Sequence, residues 1–95
     1  MDSSVNKISS REVDWSTGYY PSAQEIVLDH DAYILFLYST TSTPSFTING
    51  VEVIIYEYNS GSGSNIAFFS GYVPKGATVR FGYLAKANAK IFKLK

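Results

Sequence analysis

The stretch from Ser45 to Tyr58, S-F-T-I-N-G-V-E-V-I-I-Y-E-Y, restricts this chain more than any other part of it. Two runs of β-branched and aromatic residues meet at Asn49-Gly50, the pair that tolerates positive φ at both central positions of a tight type I′ turn. The pattern predicts a β-hairpin. Strand alternation sorts its side chains into Phe46, Ile48, Val51, Val53 and Ile55 on one face and Thr47, Glu52, Ile54, Tyr56 and Tyr58 on the other. The first set is expected in a core. The second begins polar and ends apolar, which is too apolar for an ordinary solvent face.

The neighbouring segments carry the same period. Glu25–Leu28 alternates and stops at Asp29-His30-Asp31, residues suited to a turn. Ala32–Tyr38 reads A-Y-I-L-F-L-Y, apolar on both faces, as a strand covered on two sides would be. A polar loop ending at Pro44 precedes the hairpin, and a Gly/Ser loop, Asn59–Ser64, follows it. Asn65–Tyr72 is a further strand. Val73-Pro74-Lys75-Gly76 is a turn in which Pro sets φ and Gly supplies a positive one. Thr78–Leu84 and Ala89–Lys95 close the series. About seven to eight short strands without a segment of helical period predict an all-β, antiparallel sandwich or barrel. Residues 1 to 24 read differently: they are polar, with scattered Val5, Ile8, Val13 and Trp15, and are expected to form an irregular arm or a junction to a stem, leaving 25–95 as the sandwich.

At 95 residues the chain is long enough for one compact core and no more. Eight basic and eight acidic side chains cancel, so no whole-molecule field favours nucleic acid or an anionic membrane. Lys86, Lys90, Lys93 and Lys95 gather near the C-terminus and read as a solvated edge strand. The absence of Cys excludes disulfides, thiolate metal sites and thiol nucleophiles. No apolar run approaches the ~18 residues of a membrane span, and M-D-S-S-V-N-K-I lacks the basic start and apolar stretch of a signal peptide. Neither membrane insertion nor a secretion address is expected.

A sandwich of this length has one interior, so each strand should show one apolar and one polar side. Three regions break this rule. In Ala32–Tyr38, Tyr33, Leu35 and Leu37 oppose Ile34, Phe36 and Tyr38. In Asn65–Tyr72, Ile66, Phe68 and Tyr72 oppose Ala67 and Phe69, and the hairpin adds Ile54 and Tyr56. The surplus predicts an outer surface covered by another copy of the chain, with Ile34, Phe36, Tyr38, Ile54 and Tyr56 as interface candidates.

Little in the chain supports catalysis. The single histidine sits in Asp29-His30-Asp31, where carboxylate and amide types serve local turn bonding, and no nucleophile-elbow serine accompanies it. Gly61-Ser62-Gly63 is not followed by a helix whose N-terminus could hold phosphate. Acidic residues are too scattered for a calcium loop. No catalytic residue, metal ligand or cofactor is assigned. Aromatic residues next to Ser, Gly and Asn loops suit a recognition surface, including one that stacks on sugar rings. The ligand-binding candidates are Trp15, Tyr19, Tyr20, Tyr58, Asn59 and Asn65.

The run Q-E-I-V-L-D-H-D-A-Y-I-L-F-L-Y-S from Gln24, followed in order by F-T-I-N-G-V-E-V, S-G-Y-V-P-K-G-A-T-V-R-F and A-K-I-F-K-L-K, resembles the C-terminal head domains of bacteriophage tail fibres and receptor-binding proteins. Ala32 stands where that pattern more often has glycine. The resemblance spans Gln24 to Lys95 and implies a small jelly-roll-like sandwich, assembled as a homotrimer at a fibre tip of the virion. Such a head would be non-enzymatic and would attach to a host cell-surface receptor, a glycan or a protein. It implies no site residues, because the receptor loops of such heads share no motif found in this chain. The alternatives are a monomeric carbohydrate-binding module of an enzyme and a structural virion or fibre-cap protein without a receptor.

Overall fold

The computed structural model describes residues 11–40, 45–59, 64–82 and 88–95, with backbone alone for 39–40, 55–59 and 64–65. Expectations placed on Val5, Ile8 and the loops at 41–44 and 60–63 lie outside the described residues, as do those on the side chains of Tyr56, Tyr58, Asn59 and Asn65. The described residues form β1 (Val13–Tyr19), β2 (Glu25–Val27), β3 (Ala32–Thr40), β4 (Phe46–Ile48), β5 (Val51–Glu52), β6 (Ile55–Asn59), β7 (Ser64–Val73), β8 (Thr78–Phe81) and β9 (Ala89–Leu94). Sheet I has the order β1-β9-β3-β7-β6 and sheet II the order β2-β8-β4-β5. β1 pairs with β9, β2 with β8 and β3 with β7, each antiparallel. The chain is therefore a long doubled ribbon whose arms step between two sheets, which is the winding of a jelly-roll sandwich.

The core lies between the sheets. Ile34, Phe36 and Ile91 of sheet I meet Phe46, Val79 and Phe81 of sheet II in a single buried cluster. Phe46 is its centre: its ring stacks on Phe81 at 4.9 Å between centroids, lies 5.2 Å from Phe36 and meets Phe69 edge-on at 5.2 Å. Offset and edge-to-face contacts of this kind stabilise beyond the area they bury.

Asn49 and Gly50 have φ of 51° and 82°, as a tight hairpin turn requires. The turn is also anchored from outside. Thr78 N–H donates to Asn49 Oδ1 at 2.9 Å, and Asn49 N–H donates to the Thr78 carbonyl at 2.8 Å. Beyond it the expected long second strand divides. β5 stays in sheet II, the chain crosses at Val53-Ile54, and β6 joins sheet I beside β7. Two of the predicted face assignments change, because β5 is the edge strand of sheet II and because the crossing turns Ile54 inward. Val51, expected in the core, is 63% exposed, whereas Ile54, expected at a subunit interface, is buried in the chain's own core.

Two further expectations change. The arm is not irregular up to residue 24, because Val13–Tyr19 is a strand on the edge of sheet I. It escaped the alternation pattern because it carries a large bulge: Asp14 pairs with Lys93 and Tyr19 with Ile91, so residues 15–18 stand opposite Phe92 alone. β9, in turn, is not the edge strand that its lysines suggested, since β1 covers it on one side and β3 on the other.

Candidate functional site

The register of β3 decides which surplus apolar face points outward. Ile34 and Phe36 pair with Ile91 and Ala89 of β9, and all four are buried between the sheets. Tyr38 also packs against this core. Ile34, Phe36 and Ile54 fill the interior of one chain and do not line an interface with another copy, and Tyr38 is half-buried on the same inward side. The opposite set forms the outer face of sheet I. Tyr33 lies between Phe92 and Tyr72, Leu35 between Lys90 and Ser70, and Leu37 opposite Phe68. Leu37 is 61% exposed, and Leu35, Phe68 and Tyr72 are exposed beside it. Sheet II differs: its outer row aligns the polar Glu25, Arg80 and Thr47 across three strands, and Val27 is the exposed apolar side chain beside that row among the described residues. The apolar surplus belongs to one outer face of the molecule.

That face has two halves of different chemistry. On the β3–β7 side it is mostly aliphatic and phenyl surface, from Leu35, Leu37 and Phe68. On the β1–β9 side the bulge of β1 sets the composition. The Asp14 carboxylate accepts the Ser16 hydroxyl at 2.6 Å and the Ser16 N–H at 3.2 Å, and these bonds hold its pKa below the ordinary aspartate value. Thr17 donates its hydroxyl to the Asp14 carbonyl at 2.7 Å and accepts the Lys93 N–H at 2.8 Å. The turn so formed carries Trp15 outward, 61% exposed, with its ring edge-on to Phe92 at 5.0 Å and to Tyr33 at 5.8 Å. Tyr33 meets Tyr72 edge-on at 5.0 Å, which continues the aromatic row across the sheet.

Gly18 closes the bulge where no side chain fits. A Cβ there would stand 2.7 Å from both Lys90 Cε and Phe92 Cε1. Over this gap the Lys90 ammonium lies 5.8 Å from the ring centroid of Phe92 and 5.8 Å from that of Tyr20. Tyr20 is 62% exposed. An open groove of about 570 Å³ runs from Tyr20, Asn88 and Lys90 past Leu35 and Ser70 to Phe68. Of the predicted ligand residues, the structure brings Trp15 and Tyr20 to this face, together with Lys90, which sequence reasoning treated as edge charge.

Tyr19 lies elsewhere. Its hydroxyl is 2.6 Å from His30 Nε2, while His30 Nδ1 is 2.8 Å from the Asp31 carbonyl. A carbonyl only accepts, so Nδ1 carries a proton, and in the neutral ring Nε2 accepts the Tyr19 O–H. Burial raises the Tyr19 pKa, with the Asp29 charge adding to the effect, and this keeps the hydroxyl a donor. Asp31 accepts from Arg11 Nη1 at 2.8 Å and from the Lys75 N–H at 2.9 Å, tying the segment that leads into β1 and the Pro74 turn to one carboxylate. Within the Asp29-His30-Asp31 trio, read from the sequence as a turn, His30 and Asp31 join neighbouring elements while Asp29 lies in solvent. Among the described residues, no cluster of His, Asp and Glu is arranged to hold a metal ion.

The fold and this face define a jelly-roll sandwich with one apolar outer sheet surface. The chain matches no protein-family model, no curated protein and no solved structure.

Proposed function

We propose that this chain is a non-enzymatic adhesion head of the kind carried at bacteriophage tail-fibre tips, acting as a homotrimer that attaches to a glycan on a bacterial surface. The observation that carries the proposal is the aliphatic half of the outer face of sheet I, where Leu35, Leu37 and Phe68 are exposed together, while the outer row of sheet II is the polar Glu25, Arg80 and Thr47 with Val27 beside it. A contiguous apolar patch of this kind marks an association surface, and a closed ring of copies is the economical way to cover it. The winding of the sandwich and the resemblance of its ordered strand and turn motifs to fibre heads support the same assignment.

The aromatic row Trp15, Tyr33, Tyr72 favours a second reading, a monomeric carbohydrate-binding module that uses the whole sheet face as a sugar platform. Sedimentation equilibrium separates the two. The head predicts a stable species close to three times the 10.5 kDa chain mass. A monomer at micromolar concentration removes the trimer and leaves the platform. Binding of the labelled protein to intact bacteria tests the adhesive role, and a trimer that binds none would be a structural fibre component.

A further inference from the structure

Resting on the adhesion reading, we infer that the β1–β9 half of the outer face of sheet I binds a carboxylate-bearing sugar, with Lys90 as the acid-recognising group and Tyr20 and Trp15 as stacking surfaces. Lys90 is the charged residue of the outward row of β9, next to Phe92 and opposite Leu35, and it forms no ion pair among the described side chains. An isolated ammonium on an apolar sheet would ordinarily swing into water, since lysine stems are flexible. Here it is held. Gly18 lets the Lys90 stem lie across the bulge, and the ammonium is placed near the faces of Tyr20 and Phe92, which attract a cation through their ring quadrupoles.

The surroundings specify the rest of the ligand. Trp15 and Tyr20 are well exposed on either side of the bulge, and a broad aromatic side chain kept open to solvent provides the apolar surface on which a pyranose ring stacks. Ser70 and Asn88 line the groove beside Lys90 and provide hydroxyl and amide groups for sugar hydroxyls. A neutral glycan would use the rings and leave the ammonium unmatched. A simple anion would use the ammonium and leave the rings bare. An acidic sugar satisfies both, and charge complementarity to the Lys90 ammonium selects it. The aliphatic end of the groove, with Leu37 and Phe68, is the part that association of copies covers, so the ligand occupies the other end, at Tyr20, Asn88 and Lys90.

The test is a panel of immobilised uronate-containing and sialylated oligosaccharides, each paired with its methyl-esterified form, which keeps the skeleton and removes the charge. Sulfated oligosaccharides form a third arm. The full chain is expected to bind at least one acidic member roughly tenfold more tightly than its ester, as one charge-assisted contact allows. Lys90→Met should abolish that difference while leaving weaker binding to both forms. Trp15→Ala should weaken both forms alike, and circular dichroism should show each variant folded. Equal binding of acid and ester overturns the inference while leaving the adhesion head standing, and a preference confined to the sulfated arm overturns the carboxylate. If no glycan and no cell is bound, the adhesion reading fails and the inference falls with it.

Discussion

At the scale of single residues, two aspartates flanking one histidine do different work, although the sequence presents them symmetrically. Asp31 joins Arg11, at the start of the described chain, to the Lys75 amide in the turn before β8. Arg11 in turn donates through Nε and Nη2 to the Lys95 carbonyl, so the same junction holds the two ends of the sandwich together. Asp29 lies in solvent, 3.8 Å from His30. Asp31→Ala should therefore lower stability by about 1–2 kcal/mol, the loss of charged hydrogen bonds at a partly exposed site, while Asp29→Ala stays within about 0.5 kcal/mol. Chemical denaturation of the two variants checks this, and equal effects would contradict the assigned joint. Lys90 makes a related point: from its neighbours in the chain it is another C-terminal lysine, and Gly18 in β1 and Tyr20 just beyond it, with Phe92, give it a defined place.

At the scale of elements, the hairpin holds where local chemistry governs it and departs where the sandwich must close. Asn49-Gly50 makes its turn, and the Glu52 side chain reaches back to accept the Phe46 N–H at 3.0 Å and the Ser45 hydroxyl at 2.8 Å. Two residues beyond, the strand crosses to the other sheet, and simple alternation no longer assigns faces. Ile54→Ala, in the buried crossing, should cost about 2–4 kcal/mol, as large-to-small core changes do, whereas Val51→Thr should be close to neutral. Thermal melts of both variants discriminate, because the uninterrupted hairpin predicts the reverse order. β1 departs for a similar reason. Its bulge, closed by Asp14, Ser16 and Thr17, breaks the two-residue period that would have announced a strand.

At the scale of the whole molecule, the two outer faces differ in kind. Sheet II is solvated by Glu25, Thr47 and Arg80, and sheet I presents Leu35, Leu37 and Phe68. If copies of the chain cover the aliphatic half, Leu37→Lys combined with Phe68→Lys should convert the oligomer to a monomer. Both positions are exposed in the single chain, so the monomer should keep its circular dichroism spectrum. Size-exclusion chromatography with light scattering reads the outcome, and an unchanged assembly would move the interface elsewhere.

The sequence by itself determined the all-β class, most of the strands and turns, the tight turn at Asn49-Gly50 and the presence of more apolar strand surface than one core can hide. Those properties follow from local φ preferences and side-chain alternation, which act over a few residues. Which side of β3 faced inward was decided only by the tertiary structure, because Ile34-Phe36-Tyr38 and Tyr33-Leu35-Leu37 are nearly equal in hydrophobicity and the choice depends on what lies across the sandwich. The partners that settle it, Phe46 and Phe81, come from other strands. The same holds for the site. Trp15 and Tyr20 were visible as exposed-type aromatics, but the meeting of Tyr20 with Lys90 and of Trp15 with Phe92 depends on β1 pairing with β9 across nearly the full length of the chain. No spacing in the sequence records that contact.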